Sequence, residues 1–153
     1  DVTVHPFEIP HDAAQPSAYR LSHETTSVAV VTDLGVFSDS IIENMKGLDA
    51  VLLEANHDIR MLQAGPYPYY LKQRILGTHG HLSNENAGRL LCRILHDNLK
   101  HIYLGHLSKE NIYDALAYET VCSEVTMGEN PYKASDFHIR VADRSEISQL
   151  VTV

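Results

Sequence analysis

Histidine and carboxylate side chains recur along this chain at His11, Asp33, Glu54, His57, Asp58, His79, His81 and His106. Imidazole nitrogens and carboxylate oxygens are suitable donors for Zn²⁺, Mn²⁺ or Fe, and an aspartate can bridge two ions where a neutral ligand cannot. Ten histidines in 153 residues favour a metal or hydrolytic site over scattered surface use. Taken singly, each residue has an ordinary role: His11-Asp12 can form a turn, Asp33 can precede Gly35 in one, and Asp58 can cap a helix. Their shared placement argues for chemistry, because all lie at predicted strand ends or in the loops that follow.

One stretch repeats itself. Gly80-His81-Leu82-Ser83-Asn84-Glu85-Asn86 is echoed by Gly105-His106-Leu107-Ser108-Lys109-Glu110-Asn111. In each copy Gly permits an unusual turn and Ser can accept hydrogen bonds from first-turn N–H groups, while the acidic residue suits the helix dipole. The pattern therefore predicts helices opening at Ser83 and at Ser108, each just behind a histidine. A helix start also offers N–H donors to a phosphate.

The surrounding elements explain how these residues come together. Strands are expected over 2–7, 18–21, 27–32, 50–53, 101–104 and 137–141. Pro6 favours an edge or an end for the first of them. Helices are expected over 39–46, 58–64 and 68–76, the last two broken by Gly65-Pro66-Tyr67-Pro68. A further helix carries an apolar stripe at Ala87, Leu90, Leu91, Ile94 and Leu95. Another follows Ser108, with Ile112, Ala115, Leu116 and Val121 facing inward. Strands alternating with helices imply a layered α/β fold, whose strand-end loops can converge on one rim. The polar tail beyond Val141 carries no signal.

Length and 44% hydrophobic content fit a single domain or part of one. The net charge of −8 argues against a surface that grips nucleic acid everywhere, while allowing a local basic strip. Lys72, Arg74, Arg89, Arg93, Lys100 and Lys109 are the local cations. No apolar run is long enough to cross a membrane, so no membrane partner is expected. Cys92 and Cys122 read as reduced thiols, consistent with cytoplasm. The chain starts Asp1-Val2 without Met, which places its start inside a longer product or after processing.

The stretches His11-Asp12-Ala13, Thr32-Asp33-Leu34-Gly35, Leu53-Glu54-Ala55-Asn56-His57-Asp58 and the two Gly-His-Leu-Ser copies resemble the second half of a metallo-β-lactamase-fold hydrolase. More narrowly, the chain is similar to the YycJ/WalJ-like branch, relatives of RNase Z and of phosphodiesterases acting on cyclic phosphates. The resemblance implies the αββα sandwich fold, C-terminal half, with residues 1–153 forming the later part of one domain. It implies two divalent metal ions, Zn or Mn, with His11, Asp33 and His106 as ligands and Asp33 bridging both. Glu54 and His81 would be the acid–histidine pair that protonates the leaving oxygen. Ser83, His57, Asp58, His79 and Ser108 would support the site or bind phosphate.

The family's His-x-His-x-Asp-His motif is absent, since His79-Gly80-His81 is followed by Leu82-Ser83-Asn84. A smaller departure is Ile112, where a second Asn would be expected. The expected function is a dinuclear phosphodiesterase or nuclease acting on DNA or RNA, incomplete and inactive in this chain alone. Its expected partners are a nucleic acid or phosphodiester substrate, the missing N-terminal half of its own domain, and a second copy of itself. A non-catalytic binding module of the same fold, or a small-molecule thioester or lactam hydrolase, is the alternative.

Overall fold

Alternating residues at the start of the chain and continuous aliphatic runs after it produce two kinds of strand pairing. The computed structural model describes residues 1–109 and 113–153. Strands β1 (Thr3–Glu8), β2 (Ser17–His23) and β3 (Thr26–Val31) form an antiparallel meander. Glu24, in the β2–β3 turn, has φ 51°. Strands β4 (Ala50–Glu54), β5 (His101–Gly105) and β6 (His138–Val141) then add in parallel to β3. The six-stranded sheet is ordered as the chain runs, from β1 to β6. Pro6, which lacks an N–H, lies in edge strand β1.

Parallel neighbours need crossover connections, and these are nearly always right-handed. When successive crossovers advance in one direction, right-handedness sends their helices to one face of the sheet. Here α1 (Asp39–Met45), α4 (Asn84–Ile94) and α5 (Asp114–Met127) fill that role, with α4 packing on both of the others. The core between them and the sheet holds Val31, Met45, Leu53, Leu90, Leu91, Ile102, Leu104 and Val121, all essentially inaccessible. Two short helices, α2 (Ile59–Ala64) and α3 (Tyr69–Leu76), lie between β4 and α4 in the chain, and only Leu62 among their residues is buried. Among the described residues, no helix is long and apolar enough to cross a membrane.

The two copies of the echo are described to different extents. The first copy does open a helix: the Ser83 hydroxyl caps α4 by accepting from Asn86 N–H at 3.3 Å. The segment after Ser108 lies largely outside the described residues; the Ser108 backbone N–H donates to the Asn56 carbonyl at 2.7 Å. Among the described residues, the helix that follows is α5, from Asp114 behind Tyr113, without a side-chain cap. Its inward residues are Ala117, Val121 and Val125; Ala115 is exposed and Leu116 half-buried. Val121 thus faces inward as expected, while the expectations for Ile112 and for Glu110-Asn111 lie outside the described residues.

The other face of the sheet is largely apolar and partly exposed over β1 to β4, with His101, His138 and Arg140 continuing it at the far edge. Strand register places Val4, Leu21, Val28 and Ala50 in one row, and Pro6, Tyr19, Val30, Leu52 and Tyr103 in the next. Val4 is 54% exposed, Tyr19 45% and Val30 39%. Leu21, Val28, Leu52 and Tyr103 are half-buried.

Candidate functional site

The carboxyl ends of β3, β4 and β5 lie side by side because those strands are parallel neighbours, and functional groups of α/β sheets gather beyond such ends. Asp33 follows β3, Glu54 ends β4, and His106 follows β5. Two connecting loops supply His11 and His81. Backbone contacts lock these loops together: Gly35 N–H donates to Pro10 O at 3.0 Å, and a Cβ at Gly35 would fall 2.2 Å from Thr78 O. Likewise a Cβ at Gly80 would meet Ile75 O at 2.2 Å, so only glycine lets this loop close against α3.

Asp33 sits at the centre. Its Oδ1 lies 3.6 Å from His11 Nε2, 3.8 Å from His81 Nδ1 and 3.7 Å from His106 Nε2. Asp33 and His106 adopt φ of 60° and 55°, a left-handed conformation that Asp and His tolerate better than most residues. Among the described residues, they and Glu24 are the non-glycine positions with positive φ. Two of the three therefore belong to this cluster, as expected where local geometry serves a site.

Glu54 is wholly buried and holds the imidazoles in place. Its Oε1 accepts from His81 Nδ1 at 2.8 Å and from His106 Nδ1 at 2.6 Å. Its Oε2 accepts from the backbone N–H groups of Leu34 at 2.8 Å and Leu82 at 3.2 Å. Burial alone would push this carboxyl up, but hydrogen bonds from His106 and His81 outweigh it and lower it to about 2. The same bond from Glu54 pushes the His106 imidazolium pKa up. With a carboxylate accepting at Nδ1, each neutral imidazole keeps its lone pair on Nε2. His11 is arranged alike, its Nδ1 bonded to the Gly80 carbonyl at 2.9 Å.

This donor set fits a divalent cation. Asp33, Glu54, His81 and His106 each offer a ligand atom within 4.8 Å of the others. Glu54 belongs to the group by distance, yet four N–H groups already occupy its two oxygens. His11 Nε2, beside Asp33, is a better donor than Glu54. Imidazoles whose far nitrogen is held by a carboxylate or carbonyl are the usual outer arrangement of a metal site.

The remaining expected residues are placed differently. Asp58 caps α2, its Oδ1 accepting from Met61 N–H at 2.7 Å. Ser83 is buried and caps α4, away from the open cleft. His79 is exposed, bonded to Thr78 Oγ1, and borders a separate depression with Glu8 and Ser38. Ser108 does line the cleft, of about 840 Å³, into which His11, His81 and His106 face.

His57 is 1% exposed; its Nδ1 lies 3.3 Å from Asn56 Oδ1, and its Nε2 has no hydrogen-bond partner among the described residues. Burial lowers its pKa to about 4, against a smaller opposing pull from Glu54. Folded His57 stays neutral between about pH 6.5 and 4 while the unfolded residue protonates, so stability falls as pH drops through that window. The expected loss is about 3 kcal/mol by pH 4. His106, whose pKa is raised, works in the opposite sense, so the check is comparative. Urea unfolding across this range should show a flatter pH profile for His57→Leu than for the wild type.

Three features had no clear trace in the sequence. Glu54 grips His106 as well as His81. Asn56 braces the loop after β5, its Nδ2 donating to the His106 carbonyl at 2.7 Å and its own carbonyl accepting from Ser108. Arg144, from the tail that carried no signal, lines the cleft. Its place three residues after the last parallel strand was the available clue.

With this geometry in view, the comparisons with known proteins are coherent. A model of the β-lactamase superfamily domain matches residues 1–106. The exodeoxyribonuclease WalJ of Streptococcus pneumoniae serotype 2 is 40% identical over 129 residues, covering 84% of this chain and 48% of that protein. The exodeoxyribonuclease YycJ of Bacillus anthracis is 40% identical over 121 residues, covering 79% and 46% respectively. Among solved structures, the metallo-β-lactamase fold protein YhfI of Bacillus subtilis superposes with a TM-score of 0.57 at 17% identity, covering 92% of this chain and 46% of that one. The chain thus spans about half the length of the curated relatives it matches. Strand-end carboxylates, loop histidines, sheet topology and sequence all agree that the chain belongs to the β-lactamase superfamily and has the metallo-β-lactamase fold.

Proposed function

We propose that this chain is the C-terminal part of a dinuclear, metal-dependent phosphodiesterase that degrades DNA as an exonuclease. The observation that carries the reading is the single carboxylate oxygen of Asp33 lying within 4 Å of three imidazole rings, two of them held by buried Glu54. The preference for DNA rests on the names of the relatives, which are exodeoxyribonucleases.

In this reading Asp33, His11 and His106 would hold two divalent ions, Zn or Mn, with Asp33, as the charged group, shared between them. When bound, such ions supply a nucleophile near neutral pH and offset charge on the phosphoryl group. His81, held at Nδ1 by Glu54, would act in its imidazolium form, giving the Nε2 proton to the leaving oxygen as the bond breaks and leaving a neutral ring. Three ligands from this chain are too few for two four-coordinate ions, so residues 1–153 alone should be inactive. The largely apolar, partly exposed face of the sheet supports the same conclusion, since an N-terminal half packed there would complete a sandwich and bring the missing donors. Self-association over that face is the alternative cover. Two free, half-buried thiols suit a reducing compartment such as cytoplasm.

The test uses the full gene-encoded protein, stripped with chelator and reloaded with Zn²⁺ or Mn²⁺, acting on end-labelled DNA and RNA. His81→Ala should slow DNA cleavage by about 10²–10⁴-fold. The loss should be much smaller for bis-p-nitrophenyl phosphate, whose leaving group needs no proton. Equal losses on both substrates would remove His81 from the proton-donor role, and cleavage indifferent to chelation would overturn the whole reading.

A further inference from the structure

The cleft beside Asp33 contains two arginines in different states. Arg74 is committed to Asp12: its Nε donates to one carboxylate oxygen and its Nη2 to the other at 3.1 Å. Arg144 donates to the Leu107 carbonyl and makes no ion pair among the described residues. A guanidinium carries five N–H donors in a planar fork, so most of those on Arg144 remain available. The adjacent carboxylate of Asp143 is engaged locally, its Oδ1 accepting from Ser145 N–H and Oγ–H and from Glu146 N–H.

Arg144 also stands close to the chemistry. Its partner, Leu107, follows His106 directly, and both arginine and histidine line the same cleft. The same cleft is bordered by Tyr67, Leu71 and Ile75, which offer apolar surface, and by Lys109. Cationic and apolar groups in one groove suit a single strand, whose backbone follows charge while bases rest on apolar or aromatic surface.

We propose that Arg144 binds a phosphate of the nucleic-acid strand adjacent to the one cleaved, so that the cleft selects a polynucleotide over an isolated phosphodiester. This rests on the nuclease reading, which assigns the scissile phosphate to the Asp33 cluster. A second phosphate then needs its own cation, and Arg144 is the cleft arginine with no carboxylate partner. It acts as a binding residue, with no share in proton transfer.

The test measures binding and turnover separately in the full gene-encoded protein. With chelator present, fluorescence anisotropy of a labelled single-stranded DNA oligonucleotide should show Kd raised about tenfold in Arg144→Gln. The slope of log Kd against log salt should become shallower by about 0.7. Arg144→Lys should retain the wild-type slope. In the metal-loaded protein, KM for DNA should rise while kcat stays within about threefold. Unchanged Kd and slope in Arg144→Gln would overturn the proposal. So would a loss confined to kcat, which would mean that Arg144 only braces Leu107 and hence His106. A wild type that binds DNA but does not cleave it would overturn the nuclease reading and leave the Arg144 site standing; one that does not bind would overturn both.

Discussion

Asp33→Asn should abolish measurable DNA cleavage and remove tight metal binding while leaving the fold intact. Asn matches Asp in size and is also tolerated at the φ of 60° found there. An Ala at this position would add about 1–2 kcal/mol of backbone strain, confusing loss of a ligand with loss of structure. Asn keeps a carbonyl oxygen near the three imidazoles but loses the negative charge that lets one group serve two cations. Loss of an outer-shell partner at a metal site costs roughly 10–100-fold, and loss of the bridge should exceed that. Calorimetric titration of the full protein with Zn²⁺, alongside a cleavage assay, checks both parts. Wild-type activity with unchanged metal stoichiometry would remove Asp33 from the centre of the site.

Glu54→Gln should be the most damaging conservative substitution in the chain. The carboxylate is fully buried and accepts four hydrogen bonds, two from imidazoles and two from backbone amides. A carboxamide offers one acceptor oxygen, and its NH₂ would confront donors on the other side. At least two buried N–H groups would lose their acceptor, each costing about 1–3 kcal/mol. Total destabilisation should therefore be on the order of 3–5 kcal/mol, as for breaking a buried charged pair. Activity should fall as well, because both histidines lose the group that fixes their ring orientation. Denaturant unfolding of wild type and variant measures the first effect, and cleavage at a temperature where both are folded measures the second. A stability change below about 1 kcal/mol, the worth of one ordinary hydrogen bond, would mean that Glu54 does not carry this network.

The contrast between these residues and others shows what the sequence encodes legibly. The β3 and β4 runs, the α4 stripe and the strand-end positions of Asp33, Glu54 and His106 follow from periodicity and turn chemistry, which act over a few residues. The α4 cap at Ser83 follows for the same reason. The bond from Ser108 N–H to a distant carbonyl, that of Asn56, is a contact with no such local sign. Glu54's second imidazole is of the same kind, since it is 52 residues from His106 and depends on β4 and β5 lying parallel. Arg144 escaped because a lone arginine in a polar tail looks like any solvated charge until the strand before it is placed at the sheet's edge.

The order of the sheet has a further consequence, for how the molecule is made. Every strand from β2 to β6 pairs with the one preceding it in the chain. During synthesis, each strand therefore emerges when its partner already exists, and no edge must be held open for a segment still to come. The most distant of these pairings, β4 with β5, waits only for the intervening helices α2 to α4. Non-local pairing is what slows β-rich folding and exposes unpaired edges to aggregation, and this sheet keeps that interval short. The Asp33 cluster joins the ends of three successive strands, with the bond from His106 to Glu54 made between the last two.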